Sequence, residues 1–174
     1  LTESFRNIRV NLSFLKKDYQ TIAVSSTISG EGKTFVALNL AGVIAMTGKK
    51  VIVIDLDLRK PKVHLGFGVN NDLGMSQLLA GHYTLDEVVI NSRVEGLDFI
   101  SAGPIPPNPS ELILSMEFES VLAQLKEIYD VIIFDTPPVG IVSDGIRLLS
   151  KIDIPIYVFR SNYSKRYFID KLYD

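Results

Sequence analysis

The chain contains no cysteine and no tryptophan among its 174 residues. Without cysteine there can be no disulfide and no thiolate metal site, a composition that suits a reducing compartment. Histidine is scarce as well: His64 and His82 are the only two, and both read as loop or surface residues rather than metal ligands. The net charge of −2, with no basic stripe, leaves no electrostatic footprint for nucleic acid. Long apolar runs are also missing. The longest, Phe35 to Met46, is interrupted by Asn39 and too short to span a bilayer, and no signal-peptide pattern is present. The chain opens on Leu1 rather than Met, as expected of a piece excised from a longer protein, so any membrane-spanning region is expected outside it.

What remains is an ordinary globular composition, 47% hydrophobic and 22% charged, of a size that fits one domain over 1–174. The most informative stretch is Ser25-Ser26-Thr27-Ile28-Ser29-Gly30-Glu31-Gly32-Lys33-Thr34. It follows the apolar run Ile22-Ala23-Val24 and opens into another at Phe35, the strand, small-residue loop and helix start of a P-loop. In such a loop glycines let backbone N–H groups close around phosphate oxygens, and the helix N-terminus favours negative charge. Candidate nucleotide contacts run through Ser29, Gly30, Glu31, Gly32, Lys33, Thr34 and Phe35, with Lys33 on the β- and γ-phosphates and Thr34 on Mg²⁺. The usual motif begins with Gly where this chain has Thr27. A Gly-Lys-Thr triplet alone is a frequent accident at strand-to-helix turns; the correct flanks on both sides favour the functional reading.

Two further apolar strands end in acidic groups. Val51 to Ile54 runs into Asp55-Leu56-Asp57-Leu58-Arg59-Lys60-Pro61, and Val131 to Phe134 into Asp135-Thr136-Pro137-Pro138. Parallel sheets bind ligands at the carboxyl ends of their strands, so three such ends can converge on one crevice. An Asp after a strand is often only a turn residue, but two beside a P-loop suit a magnesium site. Asp135, Asp57 and Thr34 are the candidate metal residues, since this hard ion prefers oxygen ligands and keeps several waters. Asp55 and Asp57 bring more negative charge than one Mg²⁺ needs. With Lys33 they are the candidate catalytic residues, Asp55 favoured as acceptor of a hydroxyl proton, which hints at phosphoryl transfer to a side chain rather than to water.

The coarse pattern predicts an amphipathic helix over 2–16 with Phe5, Ile8, Leu12 and Leu15 on its core-facing stripe. Strands are expected at 21–26, 51–54, 97–101, 131–134 and 154–159. Helices are expected at 33–47, 75–80, 84–90, 109–128, 143–150 and from about 164, with a polar, Gly-rich link after the second strand. Alternation of strand and helix with continuously apolar strands implies an α/β fold, a parallel sheet covered by helices on both faces. Pro104, Pro106, Pro107 and Pro109 could present a polyproline surface, but such a run more often stiffens a connection.

Taken together, Ser26 to Thr34, Ile54 to Pro61 and Phe134 to Pro138 resemble the Walker A, A′ and B motifs of the bacterial tyrosine kinases. These are the P-loop kinases of capsule and exopolysaccharide export. Asn71 to Ser76 and Pro106 to Leu112 match as well, and Glu3, Arg6 and Arg9 look like the family's Glu-x-x-Arg-x-x-Arg oligomerisation motif. The resemblance runs from Glu3 to about Arg160. It implies binding of ATP or ADP with Mg²⁺ and autophosphorylation of tail tyrosines between subunits of a ring such as an octamer. It also implies action on other tyrosine-bearing proteins, location at the cytoplasmic side of the inner membrane, and a membrane polysaccharide co-polymerase, fused or separate, as activating partner. Relative to the family pattern the chain stops at Asp174, before the closing strand, the segment that contacts adenine and the tyrosine-rich tail. Tyr163, Tyr167 and Tyr173 read as structural tyrosines rather than phosphorylation sites. Two other readings compete. A partitioning-type ATPase switch of the same P-loop group would carry a lysine where this chain has Ile28, and a non-catalytic ATP-binding assembly module would use the same residues without transferring phosphate.

Overall fold

The computed structural model describes residues 2–138, 148–165 and 167. Among them, helix α1 (Thr2–Leu15) is followed by β1 (Thr21–Ser26), α2 (Lys33–Ala45), β2 (Val51–Asp55) and the short α3 (Val63–Phe67), α4 (Met75–Leu79) and α5 (Leu85–Val88). Then come β3 (Ile90–Asn91), β4 (Leu97–Ile100), α6 (Pro109–Ile113), α7 (Met116–Ile128), β5 (Val131–Asp135) and β6 (Ile154–Val158). The six strands form one sheet in the order β3-β4-β2-β5-β1-β6. All pairings are parallel except β3 with β4.

Side chains alternate across each strand, and because both faces are covered the strands are apolar throughout. Val51 and Val53 face a core shared with Ile22, Val24, Ile133 and helices α1 and α2. Ile52 and Ile54 face the opposite core, with Ile132, Phe134, Ile100 and helices α4, α5 and α7. Phe67 of α3 stacks on Phe99 of β4 at 3.8 Å between ring centroids. The chain's middle section is thereby anchored to the sheet beside the acidic strand ends.

Several expectations are corrected. The link after β2 contains α3, which the periodicity missed because its first amides are held by a distant carboxylate: Asp55 accepts from Lys62 and Val63, each at 3.0 Å. The helix expected over 109–128 is two helices, since Ser115 caps α7 by accepting from the Phe118 N–H at 3.2 Å. The helix expected over 84–90 ends at Val88, and the next residues form β3, an antiparallel edge on the otherwise parallel sheet. Leu15 is 76% exposed rather than core-facing. At about 100° per residue it stands roughly 80° away from Phe5, and α1 ends there. His64 lies half-buried in α3, not in a surface loop, and its Nδ1 has no hydrogen-bond partner among the described residues. Most of the helix expected over 143–150, the one from 164, and Tyr173 lie outside the described residues.

Candidate nucleotide site

Strands β1, β5 and β2 are neighbours, so their carboxyl ends meet. Asp135 is paired in register with both Asp55 on β2 and Val24 on β1. This convergence puts the P-loop, which leaves β1, directly against the two acidic strand ends. Gly32 caps α2 with φ 102°, and Gly30 has φ 90°, left-handed values that glycine adopts without penalty. A cleft of about 150 Å³ is lined by Ser29, Gly30, Lys33, Thr34, Asp57 and Lys62. Phe35 also borders it and meets Phe5 of α1 edge-on at 6.0 Å.

Thr27, standing in for the usual first glycine, is not strained: only Asn162 among non-glycine described residues has positive φ. Instead it works with Glu31. The buried Glu31 carboxylate accepts from the Thr27 N–H at 2.8 Å, the Ile28 N–H at 2.9 Å and the Thr27 hydroxyl at 3.0 Å. Burial pushes this carboxyl's pKa up, but hydrogen bonds from Ile28, Ser164 and Thr27 outweigh it and hold the value below the usual one. The loop is therefore stapled across its own neck. Glu31, expected among the nucleotide contacts, turns its carboxylate inward, which leaves its N–H rather than its side chain for a ligand.

The three aspartates differ in their surroundings. Asp135 is 1% exposed and accepts from the Thr34 hydroxyl at 2.5 Å. Its other oxygen, Oδ1, is buried without a hydrogen-bond partner. Burial first, then the Asp55 carboxylate, pushes its pKa up to about 7 against the Thr34 bond and the Lys33 charge. Asp55 is fully buried and accepts three backbone N–H bonds at 3.0 Å, from Asp57, Lys62 and Val63. Burial still pushes its pKa up to about 6. Asp57 is half-buried, lines the cleft and accepts from the Lys60 N–H at 3.1 Å. Lys62 joins the cleft as a cation that the motif pattern did not single out.

The donor set fits Mg²⁺ arriving with a nucleotide. An orphaned buried carboxylate oxygen beside a hydroxyl offers hard oxygen ligands. No group of three or more His, Asp or Glu among the described residues could hold a metal by itself. Glu3 and Arg6 pair at 3.6 Å on the exposed face of α1. Arg9 is half-buried, and these three residues stand apart from the cleft.

A family model described as an AAA domain matches residues 19–150. Tyrosine-protein kinase YwqD of Bacillus subtilis is 38% identical over 167 residues, covering 95% of this chain and 70% of that protein. The chain belongs to the bacterial tyrosine-kinase family. Tyrosine-protein kinase wzc of Salmonella typhi is also 38% identical, over 145 residues that make up 82% of this chain but 20% of that longer protein. The kinase domain of Escherichia coli tyrosine kinase ETK superposes with a TM-score of 0.92 at 33% identity, covering 98% of this chain and 68% of that one. The septum site-determining protein MinD of Pyrococcus horikoshii, solved with Mg-ADP, has a TM-score of 0.66 at 25% identity over 80% of this chain and 57% of that one. The fold of this bacterial tyrosine-kinase chain is thus the mostly parallel, helix-covered sheet expected from its strand pattern. No helix among its described residues is long and apolar enough to cross a membrane.

Proposed function

We propose that this chain is the catalytic part of an ATP-dependent protein-tyrosine kinase that autophosphorylates between subunits and regulates capsule or exopolysaccharide export. The observation that carries the reading is one cleft lined by the P-loop, Thr34 and Asp57, with the buried Asp135 bonded to Thr34 and paired in register with the buried Asp55. Lys33 and the loop's N–H groups bind and orient the phosphates. Thr34 and Asp135, with Asp57 near, hold Mg²⁺, which when bound neutralises phosphate charge. The tyrosine proton passes to the Asp55–Asp57 pair. Asp55 has a pKa raised towards neutrality, which suits a base, but both its oxygens are occupied by backbone N–H groups. Asp57 lines the cleft and makes the first contact with an incoming hydroxyl, while Asp55 holds the segment that carries it. In the whole protein, the Glu3, Arg6 and Arg9 face docks on a neighbouring subunit of a ring at the cytoplasmic face of the inner membrane. A membrane polysaccharide co-polymerase region activates it.

Incubation with labelled Mg-ATP and a tyrosine-bearing acceptor, followed by phosphoamino-acid analysis, tests the reading. Phosphotyrosine is expected. Free phosphate alone would favour a switch ATPase, and neither product an assembly module.

A further inference from the structure

The chain leaving β6 folds back onto the P-loop, and none of the steps proposed for phosphoryl transfer uses it. Strand β6 pairs with β1, Val158 opposite Ser26, so its exit lies beside the start of the loop. Residues 160–164 then make a tight turn in which the Tyr163 and Ser164 N–H groups donate to the Arg160 carbonyl at 3.1 and 2.9 Å. Asn162 adopts φ 59° to close it, a value that asparagine tolerates better than most residues. The turn delivers three donors to the loop. The Tyr163 hydroxyl donates to the Ser29 carbonyl at 3.0 Å, and an Arg160 guanidinium N–H donates to the Gly30 carbonyl at 3.3 Å. The Ser164 hydroxyl donates to the Glu31 carboxylate. The Arg160 guanidinium lies over the Tyr163 ring, 5.3 Å from its centre, which steadies both.

In a trans peptide the C=O and the following N–H point in opposite directions within one plane, and the described chain has no cis bond. Holding the Ser29 and Gly30 carbonyls therefore turns the Gly30 and Glu31 N–H groups away from the turn. We propose that Arg160, Tyr163 and Ser164 form a clasp that aims the P-loop's amides at the nucleotide phosphates, and so are positioning residues for phosphate binding. Tyr163 carries most of the registration. A Cβ placed on Gly30 would come within 2.9 Å of its hydroxyl, so loop and ring fit without slack. Glycine at this point thus answers to the clasp as well as to its own φ.

The proposal rests on the nucleotide site described above, and the test separates the two. Mg-ADP binding is measured by calorimetry on the wild-type chain and on Lys33→Met, Tyr163→Phe, Arg160→Met and Arg160→Lys, with thermal melting of each. Loss of one net hydrogen bond predicts about 3–10-fold weaker binding for Tyr163→Phe at unchanged melting temperature. Arg160→Met should act in the same direction and Arg160→Lys recover part of the loss. The ADP-induced shifts of the Gly30 and Glu31 amide resonances should shrink in Tyr163→Phe, a readout that mere support of the fold would not move. Wild-type affinity and shifts in Tyr163→Phe, with binding lost in Lys33→Met, would overturn the clasp and leave the site intact. Undiminished binding in Lys33→Met would overturn both.

Discussion

The Thr34 hydroxyl, which lines the cleft, and the buried Asp135 carboxylate, 101 positions apart in the chain, are joined by a 2.5 Å hydrogen bond. The bond occupies one Asp135 oxygen and leaves the other buried and unpaired. This pair links the helix that begins at the P-loop to the central strand of the sheet. A cation entering here would find both groups already adjacent.

The first prediction concerns pH. Asp135 has a folded pKa raised to about 7 and Asp55 one raised to about 6, each chiefly by burial. Between the ordinary carboxylate value and these raised ones, the folded chain binds more protons than the unfolded chain. The nucleotide-free protein should therefore lose stability from these two groups as pH rises from about 4 to about 7. Mg²⁺ must displace the Asp135 proton, so Mg-ADP affinity should rise through the same upper range, with proton uptake by the buffer. Calorimetry in two buffers of different ionisation enthalpy measures that release. Affinity independent of pH between 5.5 and 8 (roughly 1.5 units below to 1 above the Asp135 value) would remove Asp135 from the metal site.

Lys33 is only 7% exposed and borders the cleft. Lys33→Met removes a charge-assisted contact to phosphate, and nucleotide binding should weaken by about 1.5–3 kcal/mol. Equal affinity for Mg-ADP in the two proteins would place the phosphates elsewhere.

The two carboxylates after β2 should separate by variant. Asp55→Asn replaces an acceptor of three backbone N–H bonds with a group that also donates, so at least one amide is left unpaired at a cost of about 1–3 kcal/mol. A lowered melting point should accompany its lost activity. Asp57→Asn leaves that framework in place. It should melt like the wild type and still bind nucleotide, while transfer to a tyrosine-bearing substrate falls about 10²–10⁴-fold. Full kinase activity in Asp57→Asn would return the proton-accepting role to Asp55.

Assembly is predicted from α1. Val10 and Phe14 are 44% and 84% exposed, apolar groups on a helix whose Glu3–Arg6 pair is itself on the surface. Such an exposed pair is worth only about 0.2–0.5 kcal/mol to a lone helix. Light scattering on a longer, tail-bearing chain should show a large oligomer. Glu3→Ala/Arg6→Ala/Arg9→Ala should convert it to monomers with unchanged circular dichroism. Persistence of the oligomer in the triple variant would assign α1 to covering α2 alone.

Local chemistry determined much of this protein before any folding is considered. The apolar runs at 22–24, 51–54 and 131–134 fix strands because β-branched residues suit a sheet buried on both faces. Gly30 and Gly32 fix a loop of unusual φ, and the polar residues at the strand ends name the candidate site. What the tertiary structure alone decided are partnerships across long sequence distances. Asp55 reads in sequence as an acidic turn residue, yet in the fold it is fully buried and accepts from the Lys62 and Val63 N–H groups at the start of α3. The surroundings of Asp55 and Asp57, two positions apart, diverge through that burial. Arg160, Tyr163 and Ser164 carry no motif; they reach the P-loop because β6 pairs with β1, a pairing no local periodicity encodes. Sequence patterns record what each residue prefers within a turn or two of chain. Which buried group meets which is set by sheet order, and only the folded molecule contains that.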